Sequence, residues 1–242
     1  MSVPIRVLVV DDSAFMRHAV GKLLTADPSF VVVGTAKDGV EALEKLNRQE
    51  VDVVTLDLEM PRMDGLTTLQ QMMYRRPVPV VMVSSWTRQG ADATIRALAL
   101  GAIDFVCKPS GASSLKMESV AEELRAKVKR AAAAGVRWRG SGQGLGAETD
   151  RPEQREWTDC RSPTAAESSE FRPRVPIRIV AIGSSTGGPK ALHEVLSRVG
   201  RDFPVPIVVV QHMPPGFTRS LAEHLDEVCP LEVREARAGD AL

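Results

Sequence analysis

The chain has 242 residues, and its 31 basic and 31 acidic side chains give a formal net charge of zero. With about 150 residues per domain as a guide, we expect one large or two small domains. A neutral chain has no overall field that would draw it to nucleic acid or to an anionic membrane. The composition, 43% hydrophobic and 26% charged, excludes collagen-like, coiled-coil and wholly disordered proteins.

The cysteines and the N-terminus favour a cytoplasmic location. Cys107, Cys160 and Cys229 are odd in number and far apart, which suggests neither a disulfide framework nor a zinc site. The N-terminus enters an aliphatic strand without the features of a signal peptide. No apolar run approaches the roughly 18 residues that span a bilayer. We therefore expect a soluble cytoplasmic protein with no membrane insertion.

Residues 1–130 alternate short aliphatic runs with segments of helical period. The runs predict strands at 7–10, 30–33, 51–56, 78–83 and 105–106. The intervening segments predict helices at 16–24, 40–47, 66–73, 91–100 and 115–129. Almost continuous apolar strands separated by helices are typical of a parallel sheet that is covered on both faces. This half is therefore predicted to be a five-stranded, doubly wound α/β domain.

The pattern stops between 131 and 174 and restarts at 175. Residues 131–174 are rich in Gly, Ser, Pro and charged residues, which predicts a flexible tether. Residues 175–242 predict strands at 177–182 and 205–211, helices at 189–199 and 217–228, and the start of a third strand at 231–236. Such a unit is short for an independent domain. We interpret it as the N-terminal portion of a second doubly wound α/β domain.

Polar features follow four of the predicted strands of the first domain: Asp11–Asp12, Asp57, Ser84–Ser85 and Lys108–Pro109. The carboxyl ends of parallel strands share one edge of the sheet, where ligands of such sheets bind. Converging carboxylates repel one another unless a cation neutralises them, and hard oxygen ligands suit Mg²⁺. An Asp after a strand is also a common turn residue or helix cap. Four such features on one edge favour the functional interpretation, in which Lys108 contacts a bound phosphoryl group.

These residues resemble the receiver domain of two-component response regulators, over residues 4–128. The resemblance rests on Val-Val-Asp-Asp-Ser at 9–13, Leu-Asp-Leu-Glu-Met-Pro-Arg-Met-Asp-Gly at 56–65, Val-Ser-Ser at 83–85 and Gly-Ala-Ile-Asp-Phe-Val-Cys-Lys-Pro at 101–109. It implies that a histidine kinase is the phosphodonor and that Asp57 is the phosphoryl acceptor. Asp12, Asp57 and the Glu59 carbonyl are then the implied Mg²⁺ ligands, with Asp11 acting through water. Ser84 and Lys108 are implied to hold the phosphoryl group, and Phe105 to be an aromatic switch.

A serine turn opens the second unit. Gly183-Ser184-Ser185-Thr186-Gly187 matches Gly-x-Ser-x-Gly between a strand and a helix, the context of a nucleophile elbow. A nucleophilic Ser185 needs a base. His212 follows the neighbouring predicted strand and is therefore expected on the same edge, within reach of Ser185.

Other interpretations of this turn stay open on the residues alone. A glycine-rich turn before a helix can bind phosphate, although Gly188 is followed by Pro189-Lys190-Ala191 and not by the Walker pattern. The glycines can also simply shape the turn, with His212 as a strand-end residue. The other histidines, His18, His193 and His224, fall within predicted helices, where we expect surface positions.

The whole chain resembles the chemotaxis response regulator protein-glutamate methylesterases, the CheB family. The resemblance rests on a receiver followed by a tether, then on Ile-Gly-Ser-Ser-Thr-Gly-Gly-Pro and Gln-His-Met-Pro-Pro-Gly. The resemblance implies that Ser185 attacks glutamate methyl esters of chemoreceptors, with His212 as general base and Thr186 at the oxyanion site. It also implies glutamine deamidation, and no cofactor for the esterase.

The sequence departs from the family in one respect. Family members carry a triad aspartate in Gly-Met-Gly-x-Asp-Gly, and the 242 residues contain no such motif. We interpret the chain as truncated within its catalytic domain, and expect its own esterase activity to be nearly absent. The alternative function is a non-enzymatic phospho-receiver module with an inert C-terminal remnant.

Overall fold

The structure is a computed structural model that describes residues 3–85, 87–108, 114–140 and 177–240. Pro109, Cys160 and most of the predicted tether lie outside these residues. In chain order the elements are β1 (Ile5–Val10), α1 (Ala14–Thr25), β2 (Phe30–Ala36), α2 (Gly39–Arg48), β3 (Val53–Asp57), α3 (Gly65–Arg75), β4 (Val80–Ser84), α4 (Arg88–Ala99), β5 (Asp104–Cys107), α5 (Ser114–Gly140), β6 (Val180–Ser184), α6 (Gly188–Leu196), β7 (Ile207–Gln211) and α7 (Phe217–Val228).

The first five strands form one parallel sheet in the order β2-β1-β3-β4-β5. The predicted fold class is confirmed for this half. Successive side chains of a strand point to opposite faces, and the two faces build separate cores. Leu8, Val10 and Leu56 belong to the core shared with α2, α3 and α4. Val7 and Val9 belong to the core shared with α1 and α5.

Polar side chains begin four helices of this domain by accepting a backbone N–H of the first turn: Ser13, Asp38, Asp64 and Thr87. Such a cap satisfies an amide that has no partner within the helix. Because Ser13 caps α1, neither Asp11 nor Asp12 is needed for that purpose. Both are therefore available to the sheet edge.

Helix α5 is longer than the sequence pattern indicates. We expect it to end at 129 and the tether to begin at 131, but the helix continues to Gly140. Ala131 and Ala132 are buried in the core beside α1. Alanine costs no side-chain entropy in a helix, so the four alanines at 131–134 extend the helix instead of ending it.

The second unit is a parallel pair of strands, β6 and β7, with α6 and α7. This agrees with the predicted portion of a second α/β domain. The predicted third strand at 231–236 is not formed; Val233 instead donates its N–H to Asp226 Oδ1 at 2.7 Å. No helix among the described residues is long and apolar enough to cross a membrane.

Helices α6 and α7 pack against the receiver half. Their apolar side chains Leu192, Leu196, Leu221 and Leu225 join the same core as residues of α4. Each buried leucine contributes about 1.5–3 kcal/mol relative to an exposed one. The second unit therefore takes a large part of its apolar packing from the first.

Candidate phosphoryl-acceptor and esterase sites

Three carboxylates converge at the carboxyl edge of the first sheet. Asp11 and Asp12 follow β1, and Asp57 ends the adjacent strand β3. One oxygen from each lies within 4.8 Å of the others. Asp11 and Asp57 are buried and Asp12 is exposed. The strand order therefore brings together the three acidic residues predicted for this site.

Lys108 bridges the two buried carboxylates. Its Nζ lies 2.7 Å from Asp57 Oδ2 and 2.9 Å from Asp11 Oδ2. Burial raises the pKa of Asp57 to about 6, although Lys108 lowers it, and Asp11 adds a further increase. Burial works to lower the pKa of Lys108, but the two carboxylates raise it overall. The ammonium thus offsets charge that burial would otherwise make costly.

The acidic residues fit a magnesium ion. Carboxylate oxygens are hard ligands, and Mg²⁺ accepts one or two of them while retaining water. The site opens into a cleft of about 650 Å³ whose lining includes Asp12, Glu59, Asp64 and Gly90. The charge, the type of ligand and the access are therefore those that Mg²⁺ requires.

The other two residues predicted for phosphoryl binding and switching have partners in α4 and in the second unit. Ser84 is fully buried, and its Oγ lies 2.8 Å from Thr94 Oγ1 and 3.2 Å from the Gly90 carbonyl oxygen, both in α4. Phe105 is 3% exposed, and its ring stacks on that of Phe217. Both side chains thus contact the elements that hold the second unit.

Ser185 and His212 meet at the carboxyl edge of the second sheet. Strands β6 and β7 pair Ser184 with Gln211, so the next residues along each strand are neighbours. Ser185 Oγ lies 3.3 Å from His212 Nδ1. A hydroxyl can donate to Nδ1 when the ring carries its proton on Nε2. The structure thus brings together the two residues that the motif predicts to be nucleophile and base, and Thr186 follows Ser185 in the same turn.

Gln211 is a residue of this site that the sequence reasoning missed. Its Oε1 accepts from Ser184 Oγ at 2.5 Å, and its Nε2 donates to the carbonyl oxygens of Ser185 at 3.0 Å and His212 at 3.1 Å. A Cβ at Gly188 would lie 2.0 Å from Gln211 Oε1, so this network requires glycine there. The available signal for Gln211 in the sequence was its position immediately before His212.

Receiver residues line the cleft in front of Ser185. The cleft has a volume of about 430 Å³ and is lined by Asp104, Glu123, Ala126, Lys127, Arg130, Ser185, Thr186, His212, Met213 and Pro214. Arg130 of α5 donates to Thr186 Oγ1 at 3.0 Å. The side chain predicted for the oxyanion site is therefore bonded to the receiver.

Lys127 lies in the same cleft. Its Nζ lies 2.7 Å from Glu123 Oε1 and 3.2 Å from Asp104 Oδ1, and donates to the Phe105 carbonyl oxygen at 2.6 Å. It also lies 4.9 Å from the centre of the Phe105 ring. This lysine therefore ties the α5 wall of the cleft to β5.

Comparisons with known proteins agree with both halves. A model of the response regulator receiver domain matches residues 7–119, and a CheB methylesterase model matches 180–242. A protein-glutamate methylesterase/protein-glutamine glutaminase of Symbiobacterium thermophilum is 57% identical over 98% of this chain. The chain belongs to the CheB methylesterase family.

Other family members support the same relationship. A Pyrococcus horikoshii protein with the same printed function is 45% identical over 98% of this chain. The crystal structure of the response regulator domain of Thermotoga maritima CheB is 48% identical, with a TM-score of 0.51, and the match covers 54% of this chain and 98% of that one. The chain spans 64% of the length of the S. thermophilum protein and 61% of the P. horikoshii protein.

Proposed function

We propose that this protein is a phosphorylation-controlled protein-glutamate methylesterase and glutamine deamidase that acts on chemoreceptors in the cytoplasm. The observation that carries the proposal is the contact from Arg130 to Thr186, in a cleft that holds Ser185 and His212. It links a receiver surface directly to a serine–histidine pair. The printed functions of the relatives support the reaction class.

In the receiver, Asp57 accepts the phosphoryl group from a histidine kinase. Asp12, Asp57 and the Glu59 carbonyl would hold Mg²⁺, with Asp11 acting through water, and the ion would supply positive charge that offsets charge on the donor and acceptor. Lys108 is already paired with Asp57, and holds the acyl phosphate after transfer. The phosphoryl group carries about −1.5 to −2 units of charge in place of the single negative charge of the Asp57 carboxylate, and its three oxygens are new hydrogen-bond acceptors for the groups that contact this edge.

In the second unit, Ser185 attacks the carbonyl carbon of a glutamate methyl ester, and His212 removes the proton from its hydroxyl. Backbone N–H groups of the turn and the Thr186 hydroxyl stabilise the oxyanion. His212 then donates the proton to the departing methanol. Water, activated by the same histidine, releases the glutamate. A glutamine side chain follows the same steps with ammonia as the leaving group.

The receiver controls this chemistry by covering the cleft. Arg130 occupies the Thr186 hydroxyl, and α4 packs on α6 and α7. Ser185 and His212 are themselves exposed to water, so these contacts act by limiting the room for a receptor segment beside them. Phosphorylation at Asp57 therefore increases activity by weakening the packing between the two halves.

The test measures phosphorylation and cleft opening in the same protein. Acetyl phosphate with Mg²⁺ should label the parent chain but not Asp57→Asn. Because Ser185 is exposed to water, the reagent must be bulky: a Ser185→Cys variant, treated with a thiol reagent as large as a peptide and followed by mass spectrometry of its labelled peptide, reports the room in the cleft. Phosphorylation should accelerate labelling at position 185, and combining Ser185→Cys with Asp57→Asn should remove the acceleration. An unchanged labelling rate in the phosphorylated protein would contradict control by covering.

Methanol release separates the enzyme from the non-enzymatic module. Among the described residues, no carboxylate hydrogen-bonds to the His212 ring. Because loss of the orienting acid of a serine triad costs about 10⁴ in kcat, the 242-residue chain should hydrolyse methylated receptors about 10⁴-fold more slowly than a full-length relative. The residual release should disappear in Ser185→Ala. Release that persists there would instead favour a phospho-receiver without catalysis.

A further inference from the structure

Ser84 is held in its present position by a buried hydroxyl of α4. Ser84 Oγ and Thr94 Oγ1 are 2.8 Å apart, and both approach the Gly90 carbonyl oxygen, at 3.2 Å and 2.6 Å. Both residues have an exposed fraction of 0%. Water therefore has no access to compete for these bonds.

The hydroxyl protons of Ser84 and Thr94 determine which acceptor the Ser84 hydroxyl uses. Each hydroxyl carries one proton. If Thr94 donates to Ser84, the Ser84 proton goes to the carbonyl oxygen of Gly90 or of Ser85, at 3.2 Å and 3.3 Å. If Thr94 donates to the Gly90 carbonyl, the Ser84 hydroxyl donates to Thr94 Oγ1 or to the Ser85 carbonyl. In each arrangement the Ser84 proton is used by a partner in α4 or by the Ser85 carbonyl. It must leave that partner before it can be donated to a phosphoryl group on Asp57.

Helix α4 connects this hydroxyl pair to both sites. Its Gly90 and Ala93 line the cleft of the acidic residues. Its buried Ala91, Ile95 and Leu98 belong to the core that includes helices α6 and α7. A change in the bonds at the start of α4 therefore reaches the packing of α4 on α6 and α7.

We propose that Thr94 is a positioning residue that holds Ser84 in the unphosphorylated arrangement and so opposes phosphoryl binding. The inference rests on the proposed phosphorylation of Asp57. It predicts a specific cost, because occupation of the phosphoryl site breaks the Ser84–Thr94 hydrogen bond. A variant without the Thr94 hydroxyl has no such bond to break, so it should bind the phosphoryl group more tightly.

The experiment uses the 242-residue protein with Mg²⁺ and beryllofluoride, a phosphoryl mimic, and follows binding by ¹⁹F NMR. Thr94→Val should lower the half-saturating beryllofluoride concentration about two- to tenfold, the range for one intramolecular hydrogen bond. Its affinity for Mg²⁺ alone should stay at the parent value. Thr94→Ser keeps the hydroxyl and should behave like the parent.

Thr68→Val is the matched control. Thr68 is also fully buried, and its hydroxyl donates at 2.6 Å to the carbonyl four residues earlier, Asp64, as Thr94 does to Gly90. Its substitution should cost stability without changing the beryllofluoride titration. An unchanged or weaker affinity in Thr94→Val, or an equal shift in Thr68→Val, would overturn the proposal.

A second measurement does not depend on a variant that folds. In a crystal structure of the parent with beryllofluoride bound, Ser84 Oγ and Thr94 Oγ1 should lie beyond hydrogen-bond distance; a separation still near 2.8 Å would refute the role of Thr94. Failure of the proposed function itself looks different. In that case the parent would not bind beryllofluoride, or Asp57→Asn would bind it equally well.

Discussion

Phe105 of the receiver and Phe217 of the second unit stack with their ring centres 4.7 Å apart and their planes inclined by 21°. Both rings are almost completely buried. Phe105 immediately follows Asp104, a wall residue of the Ser185 cleft. The aromatic pair is therefore a direct contact between the residue predicted to be the aromatic switch of the receiver and the second unit.

Replacing Phe217 should separate the two halves. Phe217→Ala removes the ring that Phe105 packs on, and a buried Phe→Ala change costs about 3–5 kcal/mol. The receiver should still fold and bind Mg²⁺, while thiol labelling of Ser185→Cys should accelerate without phosphorylation. Phe203→Ala, at an exposed phenylalanine of the same unit, is the control. Equal labelling rates in the two variants would show that the aromatic pair does not hold the cleft closed.

Arg130→Ala should open the cleft by a smaller amount. The change removes one exposed hydrogen bond to Thr186 without creating a cavity. We expect labelling at position 185 in the unphosphorylated protein to rise about two- to tenfold, the effect of one such bond. Lys129→Ala is the matched control, because Lys129 is an exposed cation on the same helix that pairs with Asp27. A similar increase in both variants would indicate a general effect of charge on α5.

Lys108→Met should leave metal binding intact but weaken the response to phosphorylation. The methionine retains apolar bulk and removes the ammonium that lies 2.7 Å from Asp57 Oδ2. Mg²⁺ affinity should therefore persist, while beryllofluoride should no longer accelerate labelling at position 185. Lys45→Met, in an i,i+4 pair with Glu41, is the control. A parent-like response in Lys108→Met would exclude its proposed contact with the phosphoryl group.

Acid should destabilise the second unit at the His193–His224 pair, which joins α6 to α7. The His224 ring stacks on that of His193 with centres 6.2 Å apart, although both were expected on the surface. Burial lowers the pKa of His224 below its ordinary value of 6.5, and His193 and Arg96 lower it further against the opposing effect of Glu227. The unfolded chain therefore binds the proton more readily. The contribution to stability is complete above pH 6.5 and is lost as the pH falls through the lowered value.

Denaturant titrations between pH 5 and 8 test this dependence. His224→Gln removes the titrating group and should flatten the acid side of the stability curve. His18→Gln, at an exposed position of α1, should leave the curve as in the parent. A parent-like slope in His224→Gln would assign the acid sensitivity to another group.

The sequence predicted the acidic edge because the parallel direction of the strands places their carboxyl ends together. Asp11, Asp57 and Lys108 each follow or end a strand, and parallel strands end together. The same reasoning brought Ser185 near His212. These positions need only the hydrophobic pattern and the rule that strands of such sheets run parallel.

The packing between the halves was not predicted. Leu192, Leu221 and Leu225 mark apolar helix faces, but an apolar face does not identify its partner. The orientation of Ser84 depends on Thr94, whose buried hydroxyl has no signal in the sequence pattern. The length of α5 depends on tertiary burial of Ala131 and Ala132, which overrides the apparent end of the helical period.

The two-stranded sheet of β6 and β7 has a consequence for the order of folding. Isolated pairs of strands are marginally stable in water, and α6 and α7 bury their leucines against a helix made earlier in synthesis. Domains generally fold from the N-terminus as the chain leaves the ribosome. The folded receiver can therefore act as an intramolecular template on which residues 177–240 fold, so that the interface proposed for regulation would also serve assembly.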